Sequence, residues 1–216
     1  MSLLNCMSNR ILSRLNKIFI LLFVTMNIFI SDKSYAAEVH HSKVLIAYYS
    51  KSGNTRAIAN LIQKKTGGDI YEIKPKIAYT RERPEAADIP KHERESGELP
   101  ELQGNMPDLS SYDTIIIGTP IWWYTLSTPV MSFLKQVDLK GKTVAGFYTY
   151  AGDAHNFDKD LKDQVKNAVV LESIGFRGTY DNGWGDEPDG DEYQQEHIDD
   201  TEGELNTWLN KISTMK

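Results

Sequence analysis

The stretch "YYSKSGNTRAIANLI", residues 48–62, decides the fold. An apolar run, "VLIAYY" at 44–49, stops abruptly. Two serines, a glycine, an asparagine and a threonine follow, and then helical spacing begins. A continuous apolar run bounded by polar turn residues predicts a strand buried on both faces. From Thr55 the apolar residues Ile58, Ala59, Leu61 and Ile62 share one side of a helix, and Gly67-Gly68 ends it. The seam therefore joins the carboxyl end of a buried strand to a helix N-terminus. That terminus carries N–H groups without helical partners and the positive end of the helix dipole.

The pattern recurs along the chain. "DIYEIKP" (69–75) alternates and stops at a proline, as a strand near a sheet edge does. "DTIIIGTP" (113–120) is a second fully apolar strand running into a polar seam. Pro129 to Val137 predicts a short helix with proline in its first turn. "KTVAGFYTYAGD" (142–153) is a third strand and seam. A helix over Phe157–Ala168, a strand in "AVVLESIGF" (168–176) and a helix over Tyr193–Ile212 complete the pattern. Residues 75–107 are polar and proline-rich; a helix fits between Pro84 and Gly97, interrupted by Pro90. Strand and helix in alternation predict an α/β domain: a doubly wound five-stranded parallel sheet in three α/β/α layers. Ligands of such sheets bind outside the carboxyl ends of the strands, where the strand order reverses. The seams after 49, 119 and 149 are all carboxyl ends.

Each seam has its own chemistry. Gly53 lets the backbone turn and approach a ligand, while Ser50, Ser52, Asn54 and Thr55 add polar groups; together they suit a phosphate. A nucleotide triphosphate loop needs Gly-Lys-Ser/Thr after a longer gap, and a dinucleotide loop needs G-x-G-x-x-G; neither is present. A phosphate monoester is the expected ligand. "TPIWWYT" (119–125) places Trp122 and Trp123 side by side after a buried strand, where a planar aromatic ligand would engage their faces. Thr149, Tyr150, Ala151 and Gly152 bring small residues and backbone groups suited to the edge of a flat heterocycle.

A phosphate nest, an aromatic sandwich and a backbone-lined edge describe a flavin mononucleotide (FMN) site. The ordered segments "AYYSKSGNTRAIA", "YDTIIIGTPIWWYTLSTPV" and "LKGKTVAGFYTYAG" resemble the flavodoxin family, and particularly its short bacterial flavodoxin-like domains, over residues 43–176. The resemblance implies strand order 2-1-3-4-5 and noncovalent FMN. It implies that Ser50, Ser52, Gly53, Asn54 and Thr55 hold the phosphate. Pro120, Ile121, Trp122 and Trp123 would flank the ring, with Trp123 favoured slightly for stacking. Thr149, Tyr150, Ala151 and Gly152 would line its other edge. Asp153, Ala154 and His155 depart from the more glycine-rich third loop common among such proteins. The acidic, glycine-rich segment 180–196 is extra; it reads as a solvated loop, with Trp184 as a lid the alternative. Its acidic residues Asp186, Asp189 and Asp191 lack a full calcium-loop pattern.

The chain of 216 residues is 40% hydrophobic and 25% charged, which suits one globular domain. Arg10, Arg14 and Lys17 precede an apolar run from Ile18 to Ile30, followed by "SYAAE". This order reads as a signal peptide over 1–36, with an uncleaved anchor as alternative, then a flexible linker at 37–42 and the domain at 43–216. An exported protein is expected. Without residues 1–36 the chain keeps 20 basic and 29 acidic side chains, a formal charge of −9. Such a surface repels nucleic acid and anionic lipid and favours a basic docking face. The single cysteine, Cys6, leaves with the signal, so disulfide and thiolate chemistry are not expected.

The function expected is a one-electron shuttle to a redox partner protein. The alternative is an FMN-dependent reductase of quinones or similar acceptors, with Arg81, Arg83, Lys91 and Arg94 gripping a nicotinamide donor. A ring held in an aromatic sandwich within an acidic domain resists added negative charge, which separates the two one-electron steps. A backbone carbonyl in the Trp122–Thr125 turn or at Gly152 is placed to turn toward the ring. A receiver-type domain on the same sheet would need carboxylates where Ser50 and Thr119 stand. A serine hydrolase would need a G-x-S-x-G elbow, which is absent.

Overall fold

The computed structural model describes residues 43–79, 85–152, 154, 156–178 and 195–214. The expected signal peptide and linker lie outside these residues. So do Arg81, Arg83, Asp153, His155, Trp184 and the acidic residues of the 180–194 stretch.

Seven strands and five helices are described. The strands are β1 (Val44–Tyr48), β2 (Asp69–Glu72), β3 (Thr114–Trp122), β4 (Thr125–Leu126), β5 (Thr143–Tyr150), β6 (Val169–Val170) and β7 (Ile174–Arg177). The helices are α1 (Asn54–Thr66), α2 (Glu85–Ser96), α3 (Thr128–Gln136), α4 (Phe157–Gln164) and α5 (Gln195–Thr214). The sheet runs β2-β1-β3-β5 and then β6 and β7, both parallel to β5. This is the expected 2-1-3-4-5 order, with its last position split in two. Thr143 and Val144 pair with Val169 and Val170, whereas Phe147 pairs with Ile174. The edge strand therefore carries one extra residue between its halves, as in a β-bulge.

Alternation along the strands sends side chains into two cores. Leu45, Ala47, Tyr49, Ile115, Ile117 and Val144 pack with Val130, Phe133 and Leu134 of α3 and Phe157 and Leu161 of α4. Ile46, Tyr48, Ile116, Ala145 and Phe147 pack with Ile58, Ala59 and Ile62 of α1 and Leu205, Trp208 and Ile212 of α5. Two helices thus cover each face, which is why the central strands read as unbroken apolar runs.

Two helices differ from the expectation. Pro90 does not interrupt α2 but sits inside it, buried, although it lacks the N–H that an interior residue donates. Polar contacts from this helix to the body hold it in place, as described below. Helix α4 ends at Gln164 rather than Ala168, because Val165 turns extended and buries its side chain. The left-handed Asn167 then leads into β6.

Candidate functional site

Strand pairing brings the three seams together. Tyr48 is in register with Gly118, Gly118 with Phe147, and Pro120 with Thr149. The carboxyl ends of β1, β3 and β5 thus lie side by side. The connection leaving β1 leads to one side of it and the one leaving β2 to the other, so the strand order reverses between β1 and β3.

At the first seam Gly53 is the N-cap of α1, with φ 99°. Its N–H donates to the Ser50 hydroxyl at 3.0 Å, which closes the loop on itself. A glycine cap has no side chain to occupy the helix N-terminus, and no acidic residue stands in the first turn. Both features leave the positive end of the dipole to an anion. Ser50, Lys51, Ser52 and Asn54 are half-buried and Thr55 is fully buried. The Thr55 hydroxyl lies 2.8 Å from that of Thr149, tying the first seam to the third. Arg56 is turned to Glu72 at 2.8 Å. This end of α1 accordingly suits a phosphate monoester held by hydroxyl and backbone N–H groups.

The second seam is more ordered than a loop. Pro120, Ile121 and Trp122 continue β3, and Ile121 and Trp122 pair antiparallel with Leu126 and Thr125 of β4. Only Trp123 and Tyr124 form the turn, with φ 49° and 68°. A two-residue hairpin turn of the type I′ kind has positive φ at both positions, which Asn-Gly usually supplies. Two aromatic residues held there store about 1–3 kcal/mol each. Below the turn, the Thr119 hydroxyl donates to the Pro120 carbonyl oxygen at 2.9 Å and accepts from the Ser127 N–H at 3.1 Å. The buried Ser127 hydroxyl is 2.8 Å from it. This network fixes the start of α3 against the end of β3.

The two tryptophans have different surroundings. Trp122 meets Tyr49 and Tyr79 edge-on, at ring separations of 5.4 and 4.9 Å. The Tyr79 hydroxyl donates to Glu93 at 2.6 Å, as does the Thr128 hydroxyl. Burial, and then the Glu93 carboxylate, push the Tyr79 phenol well above its ordinary range, so it stays a hydrogen-bond donor. Trp123 instead turns toward α2. Its indole N–H donates to the Ala87 carbonyl oxygen at 3.1 Å, and the Lys91 ammonium lies 5.3 Å from its ring centroid. Arg94 donates to the Trp123 carbonyl oxygen at 2.6 Å. Lys91 and Arg94, expected to grip a nicotinamide donor, are thus turned to Trp123.

At the third seam Thr149 is buried, Tyr150 half-buried, and Ala151 and Gly152 exposed. The Tyr150 carbonyl oxygen accepts from the Gly178 N–H at 2.8 Å. A Cβ on Gly178 would come within 2.9 Å of the Asn54 side-chain nitrogen, so the first and third seams approach closely there.

Several residues around the site escape a reading of the seams alone. Tyr79, Ala87, Glu93, Arg94 and Asp160 come from α2, its approach and α4. The signal for α2 was present: Ala87, Pro90, Lys91 and Arg94 recur at helical spacing on one side.

Known proteins resemble the chain over this domain. A flavodoxin family model matches residues 43–180, well over half of the chain. Flavodoxin 1 of Shigella flexneri is 28% identical over 144 residues, covering 64% of this chain. The chain spans 65% of that relative's length, just under two thirds. An NAD(P)H dehydrogenase (quinone) of Cupriavidus metallidurans is 29% identical over 123 residues, covering 53% of this chain and 59% of its own length. The crystal structure of a flavoprotein from Lactobacillus acidophilus NCFM in complex with FMN superposes with a TM-score of 0.57 at 28% identity. It covers 62% of this chain and 93% of that one. With its strand order, its side-by-side seams and the family match over the domain, the chain belongs to the flavodoxin family.

Proposed function

We propose that this flavodoxin is a one-electron carrier that docks on a redox partner through its acidic surface. FMN is its cofactor. When bound, FMN supplies reversible electron transfer, and the protein supplies binding, orientation and electrostatics. Gly53 and the N–H groups opening α1, with the Ser50, Ser52, Asn54 and Thr55 side chains, hold the phosphate. Pro120, Ile121, Trp122 and Trp123 flank the ring on one side and Thr149, Tyr150, Ala151 and Gly152 on the other. Tyr49 and Tyr79 meet the Trp122 ring edge-on and fix its orientation. The Thr55–Thr149 contact keeps the phosphate seam and the ring seam at one spacing.

One observation favours the carrier over the reductase. The Trp123–Tyr124 turn is exposed, at 37% and 56%, while the nearby cations Lys91 and Arg94 are turned to Trp123. An exposed aromatic edge suits a brief encounter with a partner protein. Cations occupied in this way are poor grips for a nicotinamide phosphate. The likeness to a quinone dehydrogenase is the observation on the other side. The test is steady-state NADPH oxidation by the FMN-loaded chain with a quinone present. The carrier reading predicts turnover only when a separate reductase is added; turnover without one supports the reductase.

We infer export from the basic and then apolar order within residues 1–36, and with it a partner outside the cytoplasm. Cell fractionation with an antibody to the domain tests this; a purely cytosolic pool contradicts it.

A further inference from the structure

The Trp123–Tyr124 turn holds a conformation that its own residues disfavour, so something outside it must hold it there. Three contacts from α2 reach Trp123. They are the Ala87 carbonyl on its indole N–H, the Lys91 ammonium over its ring, and the Arg94 guanidinium on its carbonyl oxygen. Arg94 alone reaches across the turn. One of its terminal nitrogens bonds the Trp123 carbonyl oxygen at 2.6 Å, and the other lies 3.9 Å from Asp160. Asp160 in turn accepts from the Thr125 hydroxyl on the far side of the turn. A planar fork can span both groups; a lysine has one nitrogen and cannot hold both in the same geometry.

The helix that carries Arg94 is otherwise tied to the body by Glu93, which accepts from the Tyr79 and Thr128 hydroxyls. Among its described side chains only Pro90 is buried, and that proline removes a helical hydrogen bond. Helix and turn thus hold each other through polar contacts.

We propose that Arg94 is a positioning residue for the flavin. It fixes the direction of the Trp123 carbonyl and the left-handed turn, and through them the shape and polarity of the ring-flanking wall. This rests on the reading that the turn flanks FMN. It assigns to Arg94 a role in cofactor geometry rather than in gripping a second substrate.

The test compares the full chain with R94A, R94K and the double variant R94A/Y124G. The readouts are FMN titration, visible circular dichroism of the bound flavin, and near-ultraviolet circular dichroism of the FMN-free protein. R94A is expected to weaken FMN binding about tenfold, the scale of a lost charge-assisted hydrogen bond, and to change both dichroism spectra. R94K, which keeps the charge but not the fork, should recover only part of this. Glycine adopts positive φ without strain, so R94A/Y124G should regain most of the lost affinity. R94A with wild-type affinity and dichroism overturns the proposal, as does R94A/Y124G no better than R94A. If R94A fails to fold, a wild-type-like R94K overturns it and a weakened R94K supports it. A wild-type chain that retains no FMN fails at an earlier point: it overturns the cofactor reading, and the proposal with it.

Discussion

The hydroxyl groups of Thr55 and Thr149 lie 2.8 Å apart across 94 residues of sequence, both buried. Thr55 stands in the first turn of α1 and Thr149 near the end of β5. The contact therefore fixes the distance between the phosphate seam and the ring seam.

Replacing either threonine by valine keeps the shape and leaves the other hydroxyl without this partner. Each single variant is expected to lose about 1–3 kcal/mol. The double variant should lose less than the sum, because no orphaned hydroxyl remains. A denaturation double-mutant cycle checks this, and strict additivity would show that the two hydroxyls do not interact.

Gly53 has φ 99°, and its bare N-cap leaves the helix N-terminus to the phosphate. Gly53→Ala should destabilise the protein by about 1 kcal/mol through backbone strain and weaken FMN more than riboflavin, which lacks the phosphate. Calorimetric titration with both ligands separates the effects. An equal loss for both would place the phosphate elsewhere.

Glu72 pins β2 to α1 through Arg56 at 2.8 Å and also contacts Lys74 at 3.1 Å. Burial pushes its carboxyl up, but the hydrogen bonds from Arg56 and Lys74 outweigh burial and hold it below the ordinary value of 4.5. The folded state therefore binds this proton less readily than the unfolded state. The contribution to stability is complete above pH 4.5 and is lost as the pH falls through the depressed folded value. Glu72→Gln should be less stable than wild type at pH 7, with the gap closing in acid. A gap that is the same at pH 3 and pH 7 would contradict this.

Much of this architecture was legible in the sequence, for a physical reason. A strand buried on both faces must be apolar throughout, so Leu45–Tyr49 and Ile115–Ile117 announced themselves, and the polar seams marked their carboxyl ends. The hairpin was not legible. Nothing in Trp-Trp-Tyr-Thr suggests two left-handed residues, because the turn is held by Arg94 and Ala87 from a helix about 30 residues earlier in the chain. Pro90 misled for the same reason: local propensity argued for an interruption, and tertiary contacts prevailed. The split of the last strand follows from a single extra residue against β5, which apolar content alone does not register.

One-electron chemistry at the joined seams is tested most directly by a spectroelectrochemical titration of the full chain loaded with FMN. An aromatic wall in an acidic domain should resist the charge of the second electron, so two resolved one-electron steps are predicted, with the second at the lower potential. A single two-electron wave would contradict the carrier and leave the reductase as the better reading.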